Sequence, residues 1–348
     1  MIPIQNIYYM LSYAFQVLNE QGYKNIATEQ FHNTAELMAA ILEKGIAIQL
    51  KRGLGKEYIP QTEALSSLRG KIDIAESIKT QSMLRKQLIC TYDEFSVNSI
   101  MNQIIKSTVE LLLRSNISKQ RKKNLRKLMV YFSEVDFIDS YTVNWNVQYN
   151  RNNQTYRMLI SICYLVVKGL LQTQSNGHTK LMDFLDEQRM CRLYEKFILE
   201  YYRKEFKNQI TANASQIPWQ LDNEENSMLS VMQSDIMLQS GEKVLIIDAK
   251  YYEHSTQVQF DKHTLHSGNL YQIFTYVKNK EYELREKDHT VSGMLLYAKT
   301  DEEIYPNNVY QMSGNQIAVR TLDLNLPFDE IASQLNTIAK THFIYKGG

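Results

Sequence analysis

Within Met232–Tyr252, MQSDIMLQSGEKVLIIDAKYY, two aspartates and a lysine fall in the pattern Asp-(x12)-Asp-x-Lys: Asp235, Asp248 and Lys250. Carboxylates that converge bind a hard, oxygen-preferring cation such as Mg²⁺, and an ammonium beside them steadies negative charge as it builds. The trio suits phosphodiester hydrolysis, where further negative charge must be added to a centre that is already anionic. On this reading Asp235 and Asp248 hold Mg²⁺, the carbonyl of Ala249 adds a ligand, and Lys250 stands beside the attacking water.

Asp-x-Lys alone is weak evidence, since an aspartate at a strand end often just caps a turn. The flanking elements strengthen it. Val244-Leu245-Ile246-Ile247 is an aliphatic run leading directly into Asp248, and Met228 to Leu238 reads as a strand carrying Asp235. Ser240-Gly241-Glu242-Lys243 between them reads as a turn, so the two strands form a hairpin and the acids approach one another. Upstream, Met190 to Phe206 has helical spacing and carries Glu195. Downstream, Gln272 and Tyr276 lie four apart on a helix spanning His266 to Lys280, so both face one site. His254, His263 and His266 match no zinc spacing, have no cysteine near them, and read as residues of a polar loop. A Gly-x-Ser-x-Gly nucleophile motif is absent.

The rest of the chain must position and control this site. Its 348 residues exceed what one core usually organises, which predicts two domains. With 44% hydrophobic and 22% charged residues the composition is that of an ordinary globular protein, and the formal charge of +1 requires any nucleic-acid contact to use a local patch. Lys119, Arg121, Lys122, Lys123, Arg126 and Lys127 supply such a patch on a helix opening at Ser118, although a solvated helical face explains the run as well. Cys90, Cys163 and Cys191 lack CxxC spacing and read as buried thiols of a reduced, cytoplasmic protein. The opening Met1-Ile2-Pro3-Ile4-Gln5-Asn6 does not resemble a secretion leader, and the apolar stretch 158–171 is too short to cross a bilayer, so no membrane partner is expected.

Helices are predicted over Ile7–Leu18, capped by Asn6, over Thr34–Leu50 and over Asn98–Arg114. Lys51 to Glu94 reads as strands or an extended hairpin, and Trp145 and Tyr149 as a strand end. Gly53-Leu54-Gly55-Lys56 lacks P-loop spacing, so no nucleotide is expected to bind this chain. The polar stretch 172–179 marks a boundary between domains 1–175 and 176–348. The second half alternates helices with strands, ending in a strand pair and a helix from Phe328 to Thr341. The expected class is α/β (α+β), with a mixed helical and β-hairpin domain preceding one built on a central mixed sheet flanked by helices.

Several segments together resemble the McrC family, the nuclease subunits of McrBC-type modified-cytosine restriction systems, within the PD-(D/E)xK nuclease superfamily. They are Ile4-Gln5-Asn6-Ile7-Tyr8-Tyr9-Met10-Leu11, Arg69-Gly70-Lys71-Ile72, Asn102-Gln103-Ile104-Ile105-Lys106-Ser107-Thr108, Ile247-Asp248-Ala249-Lys250-Tyr251-Tyr252 and Asn269-Leu270-Tyr271-Gln272. Ser234 departs from the superfamily's proline, which is no ligand. The resemblance implies a restriction-endonuclease-like domain and catalytic roles for Asp235, Asp248, Lys250, Glu195 and Gln272, to which the helical spacing adds Tyr276. It also implies a partner, a hexameric AAA+ GTPase ring of the McrB type that reads the modified base in double-stranded DNA. The first domain would dock on that ring and stimulate it through Arg52, Arg69 or Lys71. A stand-alone repair nuclease and a non-catalytic activator are the alternatives.

Overall fold

A computed structural model describes residues 2–343 apart from 20–22, 24–25, 27–28, 140–141, 152, 176–186, 223–227, 253–256, 260–261 and 300–305. The chain divides into two compact units, one of Gln21–Phe184 and one of Met1–Glu20 with Leu185–Gly348. The first twenty residues, placed by the sequence reading in the first domain, therefore fold with the C-terminal part. Their helix α1 (Ile4–Ala14) is capped by Pro3, not by Asn6. Asn6 lies inside the helix, 3% exposed, and its Nδ2 donates to Leu324 O and Leu326 O at 2.8 Å.

The unit of Gln21–Phe184 contains α2 (Thr34–Arg52), whose start is capped by Asn33 accepting from Glu36 N. A ribbon follows: β1 (Glu57–Leu65), β2 (Lys71–Asp73), a short helix α3 (Ile74–Lys79) and β3 (Leu88–Ser96). Nine antiparallel pairs, Glu57↔Ser96 through Leu65↔Leu88, join β1 to β3, and β2 adds to the other edge of β3. The stretch expected to be wholly extended thus carries a helical tip. Gly70 makes the entry to β2 possible: its φ is +66°, and a Cβ there would lie 2.3 Å from Thr91 O. Helices α4 (Ile100–Arg114) and α5 (Lys119–Met129) start at the serine caps Ser99 and Ser118, and α6 spans Tyr156–Ser175. Between α5 and α6 no strand forms around Trp145 and Tyr149. Residues 143–150 alternate between half-buried and exposed as a strand would, but no neighbouring strand offers them a ladder. Trp145 packs its ring against Tyr164 instead, 5.1 Å between centroids.

The root of the ribbon is pinned by a buried polar knot. Tyr156 OH accepts from Gly55 N at 2.6 Å and donates to Asn102 Oδ1 at 2.8 Å, while Asn102 Nδ2 reaches Gly55 O and Val97 O. Within Gly53-Leu54-Gly55-Lys56 the backbone of both glycines is therefore occupied by hydrogen bonds.

In the other unit, α7 (Glu187–Glu205) precedes a mixed six-stranded sheet and two further helices. The strands of this unit are β4 (Thr211–Asn213), β5 (Gln216–Ile217), β6 (Met232–Gln233), β7 (Ile236–Ser240), β8 (Lys243–Lys250), β9 (Gln257–Gln259), β10 (Lys262–Thr264), β11 (Thr290–Ala298), β12 (Asn308–Met312) and β13 (Asn315–Leu322). The six-stranded order is β12-β13-β11-β8-β7-β4, with β8, β11 and β13 parallel and the rest antiparallel. Val244 to Ala249 are all buried, as expected of a central strand covered on both faces. Helix α8 (Ser267–Glu283) packs Ile273 and Val277 with Ile246, Leu295 and Ile317. Gly293 lets it come close, since a Cβ there would meet Ile273, Val277 and Ile317 within 2.9 Å. Helix α9 (Phe328–Phe343) is tied to α7 by Tyr202 OH donating to Leu335 O. Helix α1 rests on both, with Tyr13 against Phe197 and Tyr201 and stacked on Phe328. The architecture is α+β, with a mixed central sheet between helices.

Candidate active site

Hydrogen-bonded pairs of the β7–β8 hairpin run from Ser240↔Lys243 to Ile236↔Ile247. One step further, the same register sets Asp235 across from Asp248, and opposed residues of antiparallel strands project to the same side. Ala249 N donates to Asp235 Oδ2 at 2.9 Å, fixing the first carboxylate to the strand that carries the second. Ser234, which precedes Asp235, is held through both its backbone and its side chain. Its N donates to Ser215 O at 3.0 Å, its Oγ donates to the same oxygen at 3.1 Å, and Ser215 N returns a bond to that Oγ. This clamp holds the kink between β6 and β7 from which Asp235 emerges.

Asp248 is 1% exposed. Lys250 Nζ lies 2.9 Å from its Oδ2, an ion pair by distance, yet neither carboxylate oxygen receives a hydrogen bond of good angle. Burial lifts the Asp248 carboxyl from the usual carboxylate range to about 7, against the pull of Lys250 and with the repulsion of Asp235. For Lys250, burial works against the charge, but Asp248 outweighs it and the net shift is upward, so the ammonium stays charged. Its Nζ also donates to Gln272 Oε1 at 3.2 Å, and Gln272 Nε2 donates to Tyr276 OH at 2.9 Å. The structure therefore joins Asp248, Lys250, Gln272 and Tyr276 in one line of polar contacts from sheet to α8.

Glu195 approaches from α7. Burial and then the charge of Asp235 raise its carboxyl above the ordinary range. One turn earlier stands Cys191, which the sequence reading counted only as a buried thiol. It is half-buried, its Sγ donates to Glu195 Oε1 at 3.0 Å and points at Ala249 O from 3.9 Å, and burial followed by Glu195 pushes the thiol up to about 12. The spacing of four to Glu195 was the available signal.

The residues present fit a hard cation. A buried carboxylate with no well-angled donor on either oxygen is an arrangement that a cation completes, and the atoms offered by Asp235, Asp248 and the Ala249 carbonyl are all oxygen. Among the described residues no group of three or more His, Cys, Asp or Glu side chains is gathered as a metal site by itself. Of the histidines, His263 lies on β10, paired to β9, not in a loop, while His266 precedes α8 with its ring 5.5 Å from Tyr252. His254 lies outside the described residues.

The basic residues separate into two kinds. Arg121 is committed within its own unit: Nε, Nη1 and Nη2 contact Glu36, Glu43 and Glu29 at 3.3, 2.9 and 2.5 Å. It is an internal tie between α5 and α2, not a free phosphate ligand. Lys119, Lys123, Arg126 and Lys127 are exposed and Lys122 is half-buried. Arg52 is exposed at the last residue of α2, and Arg69 and Lys71 are exposed beside β2, with the Arg69 guanidinium 4.0 Å above the Tyr92 ring. No helix among the described residues is long and apolar enough to cross a membrane.

Residues 5–298 match the family described as McrBC 5-methylcytosine restriction system component. The Type IV methyl-directed restriction enzyme EcoKMcrBC of Escherichia coli (strain K12) is 29% identical over 342 residues, which cover 96% of each chain. Two solved assemblies from Thermococcus gammatolerans contain similar chains. One is a half-complex from a tetradecameric assembly of McrB AAA+ hexamers with bound McrC (TM-score 0.48, 17% identity, 97% of this chain and 76% of that one). The other is the McrBC complex determined by cryo-electron microscopy (TM-score 0.41, 20% identity, 59% of each). With the family match extending over most of its length, the chain belongs to the McrBC 5-methylcytosine restriction system components.

Proposed function

We propose that this chain is the Mg²⁺-dependent endonuclease subunit of a GTP-dependent restriction complex directed at modified cytosine, with a PD-(D/E)xK site that hydrolyses DNA phosphodiester bonds. One observation carries the reading: Asp248 is buried with no well-angled donor on either oxygen, opposite Asp235 and in contact with Lys250. Family membership and a relative named as a methyl-directed restriction enzyme support the substrate class.

When bound, Mg²⁺ supplies Lewis-acid polarisation of the phosphate, held by Asp235, Asp248 and the Ala249 carbonyl. Lys250, kept charged by Asp248, presents an ammonium to the phosphate oxygens as their negative charge grows. Gln272 fixes the direction of that ammonium and is itself fixed by Tyr276. Glu195, its proton affinity raised by burial and by the charge of Asp235, stands on the α7 side as the group that orients water.

The unit of Gln21–Phe184 is proposed to dock on an AAA+ GTPase of the McrB type and to stimulate it. Its ribbon displays Ile74, Ile78, Met83 and Leu84 to solvent, Leu84 at 81% exposure, an apolar tip that a partner would cover. Arg52, Arg69 and Lys71, all exposed, are proposed to reach that partner's nucleotide interfaces. Lys119, Lys122, Lys123, Arg126 and Lys127 are proposed to contact the double-stranded DNA.

The test is cleavage of plasmid carrying modified cytosine, with Mg²⁺, GTP and the partner GTPase. Asp248→Ala should lower cleavage by roughly a hundredfold or more and leave GTPase stimulation intact. Undiminished cutting by Asp248→Ala would overturn the assignment of the site, and cutting without the partner would mark a stand-alone nuclease instead.

A further inference from the structure

We infer that Cys191 is a positioning residue for the metal site: its thiol holds one oxygen of Glu195, the water-orienting carboxylate, and faces the Ala249 carbonyl that would ligate the cation, so that both groups keep a fixed orientation around the site. The inference rests on the metal-site reading given above.

Cys191 and Glu195 stand on successive turns of α7, so the thiol reaches the carboxylate without distorting the helix. The Sγ–Oε1 separation is 3.0 Å, and the same sulfur lies 3.9 Å from Ala249 O on β8. One side chain therefore spans helix and strand at the place where Asp235 also contributes its charge. The independent sign that a ligand belongs here is Asp248, buried at 1% exposure beside Ala249 with no well-angled donor on either oxygen. A thiol is a weak hydrogen-bond donor, so its contact orients Oε1 without strongly competing for the carboxylate. Partners of this kind behind metal ligands change metal affinity or activity by about 10–100-fold when removed, and a weak donor belongs at the lower end.

The experiment titrates Mn²⁺ into the full-length protein without DNA, read by electron paramagnetic resonance of the free ion, alongside a melting curve for each variant. Cys191→Ala and Cys191→Val, the second keeping the volume without a donor, are expected to weaken Mn²⁺ binding about tenfold. Cys191→Ser, which restores a donor, is expected to stay within about twofold of wild type. Asp248→Ala is the reference and should abolish binding. If it binds Mn²⁺ as well as wild type, the metal-site reading itself falls. If Asp248→Ala loses the ion while Cys191→Ala and Cys191→Val bind it like wild type, the positioning role alone falls. Equal weakening in Cys191→Ser and Cys191→Ala would also overturn it, by showing that packing rather than donation matters.

Discussion

Asp248 sits in a place where water would not leave it. Its pKa of about 7 means that burial outweighs the attraction of Lys250, so the folded chain binds this proton more tightly than the unfolded chain does. The sign follows: stability from this group is greatest below the ordinary carboxylate range, falls as pH rises to about 7, and is flat above. Asp248→Asn mimics the neutral form. Without divalent cations it should therefore raise stability at pH 8 by on the order of 2 kcal/mol and have little effect near pH 4, measured by thermal or urea unfolding. A loss of stability at pH 8 would contradict this account. The pairing of Asp235 with Asp248 was legible in the sequence because a tight turn at Gly241-Glu242 fixes the register and an aliphatic run fixes the strand. Cys191 and Arg121 were not legible, for different reasons. A thiol carries no spacing rule of its own, and the partners of Arg121 come from a distant segment. Glu36 and Glu43 stand seven residues, about two helical turns, apart on α2, and Glu29 joins them from the segment before it, which in retrospect marks a face awaiting a cation.

At the scale of elements, the ribbon β1–β3 is defined at its root and open at its tip. Asn102 and Tyr156 tie the root at Gly55, and their residue types gave no hint of it, because the contact joins segments 47 and 101 residues away from Gly55. The tip is an apolar surface on α3 and the turn after it, where Ile78 and Leu84 are 62% and 81% exposed. Exposed side chains of this kind add little to folding, typically within ±0.5 kcal/mol on substitution. Ile78→Asp with Leu84→Asp should thus leave the melting temperature nearly unchanged while sharply reducing partner-stimulated GTP hydrolysis, followed as phosphate release. Full stimulation by the double variant would remove the tip from the docking surface. The strand expected near Trp145 shows the limit of pattern reading. Alternation reports alternating cover, and only a neighbouring ladder makes a strand.

At the scale of the whole molecule, the chain leaves one unit after residue 20 and returns to it at residue 185. A short amphipathic helix at the start does not reveal in sequence which core it joins, and the expected boundary near residue 175 assigned it to the wrong one. Tyr8, Met10 and Leu11 of α1 are 4%, 1% and 0% exposed. Burial of each contributes about 1.5–3 kcal/mol, together a large part of a typical domain's margin of roughly 5–15 kcal/mol. Deleting residues 1–20 should therefore abolish the cooperative melting of the unit built on the six-stranded sheet in calorimetry, whereas Pro3→Ala, at an exposed position, should not.

This connectivity also bears on how such a protein can diversify. Everything in the unit of Gln21–Phe184 is encoded by one uninterrupted stretch, while the sheet that carries Asp235, Asp248 and Lys250 is encoded wholly after it. A single recombination event exchanging that stretch would replace one whole unit and leave the sheet that carries Asp235, Asp248 and Lys250 untouched.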